Sequence, residues 1–129
     1  MKLFHNPWEK WAIIICITVF LILGISSAKA IDGQLKILMG HNPSCHICQK
    51  FVKEVAVNYD NKELPLVIIN LYEQPKWFKE AYAEGRIKPI RGTPTFIIWN
   101  GRKELVRLVG YSNKERFYRR VKDIFLNEK

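Results

Sequence analysis

Cys45-His46-Ile47-Cys48 is the segment of this chain best equipped to do chemistry. Two thiols separated by two residues can exchange disulfides or hold a soft metal ion. The surrounding pattern favours exchange. Leu35 to Met39 is a short apolar run that reads as a buried strand. Gly40 to Ser44 has loop composition, and a helical pattern starts at Cys45. Ile47, Phe51, Val55 and Tyr59 recur every fourth residue with Val52 beside them, which predicts an inner stripe running to Asp60-Asn61. A cysteine at a helix start lies near unsatisfied N–H groups and the positive end of the dipole, and both stabilise a thiolate. The thiolate is the attacking species in disulfide exchange. Cys45 is therefore the expected nucleophile. Cys48, one turn further in, is the expected resolving thiol, which attacks a mixed disulfide on Cys45 and releases the substrate. His46 is placed to modulate the pair, because an imidazolium favours a neighbouring thiolate. Ile47, directly before the second cysteine, supplies no charge.

The elements that must position this pair follow from the rest of the chain. Leu66 to Ile69 is apolar on both faces, as a central parallel strand requires. Pro75 suits a first helical turn and Gly85 the position past a helix end; Trp77, Phe78, Ala81 and Tyr82 form the stripe between them. Thr95 to Trp99 is β-branched and aromatic, and Pro94 stands just before it, where a missing N–H is tolerated. Asn100-Gly101 predicts a tight two-residue hairpin returning over Glu104 to Val109. Ser112-Asn113-Lys114-Glu115 reads as a capping box opening a last helix with Phe117, Val121, Ile124 and Phe125 inward. The order is β-α-β-α-β-β-α, an α/β fold with helices on both sheet faces. The strand–helix alternation predicts parallel pairing, with an antiparallel terminal hairpin.

The first 30 residues differ from the rest. Lys2 and Lys10 are basic, Trp11 to Ile25 is apolar, and Ala28-Lys29-Ala30 fits the small-residue requirement of signal cleavage. Residues 1–30 are thus expected to be a signal peptide cut after Ala30. The alternative is an uncleaved anchor over residues 11–28, short of the ~20 residues of a comfortable span. Both readings put residues 31–129 outside the cytoplasm, in the periplasm, as one domain. Cys16 then stays with the targeting segment. One close pair, Cys45 and Cys48, remains, and it closes too small a loop to staple a fold. The balance is basic, with 21 Lys and Arg against 12 Asp and Glu. Much of the positive charge is C-terminal, which suits a solvated surface or acidic partners. No nucleic-acid motif is present.

The pairing of Cys45-His46-Ile47-Cys48 with Arg91-Gly92-Thr93-Pro94-Thr95, a following strand and an Asn-Gly turn resembles the thioredoxin superfamily. The resemblance spans roughly residues 33–127. Gly92 to Phe96 and Gly110-Tyr111 bring the pattern nearest to exported bacterial thioredoxins of the SoxS and SoxW type. It implies a thioredoxin-like fold with a mixed central sheet, and a Cys45–Cys48 disulfide as the oxidised state. It also implies a cis Pro94 packed against that disulfide, with Thr93 and Thr95 as flanking substrate contacts. Protein thiols and disulfides become the expected partners of a monomeric enzyme needing no cofactor. Relatives of this type keep envelope thiols reduced, so a thiol-reducing membrane electron donor is also implied. The chain departs from the cytoplasmic thioredoxins in three places. Leu35 to Met39 lacks the buried acid that accepts the second cysteine's proton, Ser44 replaces the usual tryptophan before Cys45, and His46-Ile47 replaces Gly-Pro between the cysteines. Two other readings exist. Met39, His41, Cys45, His46 and Cys48 lie close together in sequence and would suit copper handling. The domain would otherwise be a non-catalytic adaptor on the same fold.

Overall fold

The computed structural model describes residues 33–127. The expected targeting segment, residues 1–30, lies outside the described residues. The described elements are β1 (Lys36–His41), α1 (His46–Glu54), a 3-10 turn (Ala56–Asn58), β2 (Leu66–Asn70), α2 (Lys76–Ala83), β3 (Thr95–Trp99), β4 (Glu104–Val109) and α3 (Lys114–Asn127). The predicted order of elements is the observed one. Among the described residues, no helix is long and apolar enough to cross a membrane.

The four strands form one mixed sheet in the order β2-β1-β3-β4. Only β1 and β2 are parallel; β3 is antiparallel to both β1 and β4. This corrects the expectation that the first three strands run parallel. The cause is the β2–β3 connection. The eight-residue α2 advances ~12 Å along its axis, and residues 84–94 bring the chain back to the end where β2 left off. There Gly40 of β1 faces both Ile69 and Thr95. Among the described residues β2 is an edge strand rather than a central one, and Ile68 is exposed on it.

Strand alternation divides the apolar residues between two layers. Ile37, Met39, Phe96 and Ile98 face α1 and α3, where they meet Cys48, Phe51, Val55, Phe117 and Val121. Leu38, Ile97 and Trp99 face α2 and meet Ile69, Phe78, Ala81 and Ile87. All five β3 residues are buried, because that strand serves both layers. Phe51 lies at the middle of the first layer, within 5.1 Å of the ring centroids of Phe96, Tyr111 and Phe117.

Three local expectations change. Ile47 points outward and is exposed; Cys48 and Phe51 carry the inner stripe of α1, which stops at Glu54, and the buried Val55 follows as its C-cap. The β3–β4 turn is not a two-residue one. Asn100 keeps a negative φ and its Oδ1 accepts the Arg102 and Lys103 amides, so only Gly101 takes a positive φ, 86°. The cap of α3 is Asn113, whose Oδ1 accepts from the Arg116 amide at 2.9 Å, rather than Ser112.

β4 also carries a bulge. Trp99 pairs with Glu104 but Ile98 pairs with Val106, so Leu105 is an extra residue. Ile97 and Trp99 share a face, and their partners Arg107 and Glu104 therefore share one too. The Arg107 guanidinium grips the Glu104 carboxylate with both Nε and Nη2. It also donates to the carbonyls of Pro89 and Lys88 at 2.9 Å each. Glu104 in turn accepts the Lys88 amide at 3.0 Å. This clamp ties the segment after α2 to β4, upstream of Pro94.

Candidate active site

The end of β1, the start of α1 and the start of β3 meet at one end of the sheet. Gly40 is needed at the crossing: a Cβ there would lie 3.1 Å from Ile90 Cδ1 and 3.6 Å from the Thr95 carbonyl. Asn42 then turns the chain into α1. Its side-chain oxygen accepts the Ser44 amide at 2.9 Å and its carbonyl accepts the Cys45 amide at 3.0 Å. Gln49 braces the turn by donating to the Pro43 carbonyl at 2.9 Å.

Cys45 is the N-cap of α1, with extended backbone angles (φ −85°, ψ 110°). Its sulfur accepts the Cys48 N–H at 3.1 Å, doing the work a capping oxygen normally does. The same sulfur lies 3.5 Å from the Thr93 carbonyl oxygen, to which the thiol donates. Cys45 is half-buried, Cys48 is wholly buried, and both are free thiols here.

The two thiols differ electrostatically. Burial acts to raise the Cys45 pKa, but hydrogen bonds from the Cys48 and Thr93 side chains and the Cys48 and Ile47 amides outweigh it, so the net displacement is downward. Burial pushes the Cys48 thiol up; the Asn42 amide offsets this only in part, and neighbouring Cys45 adds to it.

The Thr93–Pro94 peptide bond is cis. Thr93 is half-buried and offers its carbonyl to Cys45, while Pro94 is buried. Thr95 is buried, and its hydroxyl donates to the Gly92 carbonyl at 2.6 Å, closing the turn. The Pro94 carbonyl accepts the Gly110 amide at 2.8 Å, and Gly110 takes φ 81°. The β4–α3 connection is thereby fixed beside the site.

The structure thus brings Cys45, Cys48, Thr93, Pro94 and Thr95 to one place. His46 and Ile47 are exposed on the first turn of α1. Met39 is packed into the core, and among the described residues no three His, Cys, Asp or Glu side chains converge to hold a metal. His41 closes β1 with a buried Nδ1 that has no hydrogen-bond partner. Sequence reasoning missed Asn42, although Asn-Pro-Ser before a helix is a turn signal. It also missed the Glu104–Arg107 clamp.

Residues 25–125 match the thioredoxin-like domain family. Among the solved structures similar to this chain, three share its fold at low identity as follows. The periplasmic thioredoxin SoxS of Paracoccus pantotrophus, in reduced form, superposes with a TM-score of 0.59 at 22% identity, covering 74% of this chain and 99% of that one. A thioredoxin of Malassezia sympodialis gives 0.54 at 15%, covering 77% and 86%. Poplar thioredoxin h gives 0.51 at 17%, covering 91% and 89%. No curated protein sequence matches.

Proposed function

Because this chain belongs to the thioredoxin-like domain family, we propose that it is an exported thiol–disulfide oxidoreductase that reduces envelope protein disulfides through Cys45 and Cys48. The observation that carries the proposal is the asymmetry of the pair. Cys45 is accessible, caps a helix and has its pKa held down; Cys48 is buried beneath it with its pKa pushed up. That arrangement suits two successive displacements. The Cys45 thiolate attacks one sulfur of a substrate disulfide, and the other leaves as a thiolate. Cys48 then gives up its proton and attacks the Cys45 sulfur. The Cys45–Cys48 bond forms, and the second substrate thiol departs. Two electrons pass from the dithiol to the substrate, and a thiol donor at the membrane must return them.

Thr93 and Thr95 flank Pro94 as backbone contacts for an extended substrate strand. Export rests on the basic, apolar and Ala-x-Ala order of residues 1–30, with residues 31–129 as the exported domain in the periplasm. The reducing direction rests on Ile47, which gives a thiolate no charge, and on His46, which sits one residue earlier and is exposed.

Cys48→Ser should trap substrates as mixed disulfides on Cys45, and Cys45→Ser should trap none. Equilibration with a dithiothreitol or glutathione buffer should give a potential nearer ~−270 mV than ~−120 mV. Trapping by neither variant would sink the exchange mechanism. A potential above about −150 mV, near the oxidant end of that range, would reverse the direction.

A further inference from the structure

Beside the Pro94 turn, a cavity of about 220 Å³ opens between the β4–α3 connection and the first turns of α3. Phe96, Leu108 and Phe117 give it an apolar part, and Gly110 lines it as well. The Gly110 amide is bonded to the Pro94 carbonyl at 2.8 Å, which joins the cavity lining to the Pro94 turn. A Cβ added at Gly110 or at Gly92 would meet nothing within 4 Å, so the space above both turns is open. Arg116 and Arg120, one helical turn apart on α3, also line the cavity. Among the described residues neither has a carboxylate partner; the ion pairs are Lys76–Glu80, Arg86–Glu84 and Arg107–Glu104. Lys50 adds a third cation, donating to the Ser112 carbonyl at 2.9 Å and lying 5.8 Å from the centre of the Tyr111 ring. The carboxylates whose charge reaches Tyr111, Glu54 and Glu115, do not line the cavity, and Glu54 is engaged by the Tyr111 hydroxyl.

We infer that this cavity receives an acidic side chain of the substrate polypeptide, so that the protein selects disulfides flanked by Asp or Glu. The inference rests on the exchange reading above and names its substrate class. A substrate strand lying along Thr93–Pro94 has open space over Gly92 and Gly110. A residue flanking its cysteine then reaches the cavity, where apolar walls hold its methylenes and two unpaired guanidiniums meet its carboxylate. Complementary charge at the rim favours the correct encounter and penalises basic partners.

Three disulfide-linked peptides that differ only in flanking Glu, Gln or Lys test this on the full chain, with neutral 2-hydroxyethyl disulfide as control. The Glu peptide should react about three- to tenfold faster than the Gln peptide, as two partly screened ion pairs allow, and the Lys peptide slowest. About 0.5 M salt should erase the ranking. Arg116→Gln with Arg120→Gln should abolish it and leave the control rate unchanged; Arg→Glu at both positions should invert it. A Ser-for-Cys version of the Glu peptide should shift the Gly110, Arg116 and Arg120 amide resonances, which reads binding apart from exchange. Equal rates for the three peptides, or a ranking that survives the double Gln variant, would overturn the inference. So would binding of phosphatidylglycerol vesicles through these arginines without any peptide ranking, which would assign them to a lipid surface. Failure on the neutral control by the wild-type protein would instead overturn the exchange reading beneath it.

Discussion

Arg107→Leu is the substitution whose cost the structure defines most fully. The guanidinium makes two charge-assisted bonds to Glu104, whose side chain is only 3% exposed, and two bonds to the carbonyls of Lys88 and Pro89. Leucine keeps apolar bulk but leaves the Glu104 carboxylate with the Lys88 amide as its one remaining partner among these. Stranding a buried carboxylate costs ~3–5 kcal/mol, and because Arg107 is 22% exposed the low end, about 3 kcal/mol, applies. For a domain of this size each kcal/mol is worth ~4–8 °C, so Tm should fall by on the order of 15 °C. Urea unfolding of the reduced protein, followed by tryptophan fluorescence, measures it. Arg107→Leu with Glu104→Leu should recover most of the loss, since an apolar pair replaces an ion pair at little cost. The pH dependence has a definite sign. Burial alone would raise the Glu104 pKa, but Arg107 and the Lys88 amide hold it below its ordinary value. Its contribution is therefore complete above the unfolded carboxylate value, 4.5, and is lost as pH falls through the folded value. The wild-type protein should accordingly lose stability in acid more steeply than the variant. A loss below about 1 kcal/mol in the single variant, the level of an exposed pair, or a double variant as unstable as the single one, would refute the clamp.

Three further outcomes are expected. Iodoacetamide at pH 7 should label Cys45 of the reduced protein faster than Cys48, because Cys45 is partly exposed with its pKa held down while Cys48 is wholly buried with its pKa pushed up; equal rates by peptide mapping would contradict the asymmetry. Phe51→Ala, at a wholly buried position among three aromatic rings, should cost ~3–5 kcal/mol in urea unfolding and loosen the seat of α1 beneath Cys48. Intact-mass analysis of the exported protein should show Ile31 as the first residue, and a full-length chain in the membrane fraction would assign residues 11–28 to an anchor instead.

What the sequence made legible was whatever depends on local pattern. Thr95–Trp99 and Glu104–Val109 were read at their observed bounds, because β-branched and aromatic runs ended by turn residues have few alternatives. The placement of the thiols at a helix start and of Pro94 before a strand was legible for the same reason, whereas the cis bond at Pro94 was implied only by the family resemblance. What stayed hidden depends on tertiary path. Ile47 fits a four-residue spacing with Phe51, but Cys48 occupies the inner line of the first turn. The direction of β3 depends on how far the segment after α2 travels, which no periodicity encodes. Glu104 and Arg107 are three apart, and ideal alternation puts them on opposite faces; the extra residue Leu105 reverses that. Asn100-Gly101 did make a turn, but Asn100 spent its side chain on two amides instead of adopting positive φ.

The complete burial of β3 has a consequence for the proposed thiol exchange. Thr95 emerges from the strand that both apolar layers grip, and Gly40 is hemmed in opposite it. Opening that strand requires breaking both layers at once, so its amides should exchange with solvent only through global unfolding. The scaffold under the sulfurs should then keep one arrangement when they gain or lose a bond, which equal exchange protection of the β3 amides in reduced and oxidised protein would check. Reorganisation falls on the sulfurs and on the short turns at residues 42–45, 91–94 and 110–112. A substitution in those turns acts on the potential directly, with no sheet rearrangement to absorb it.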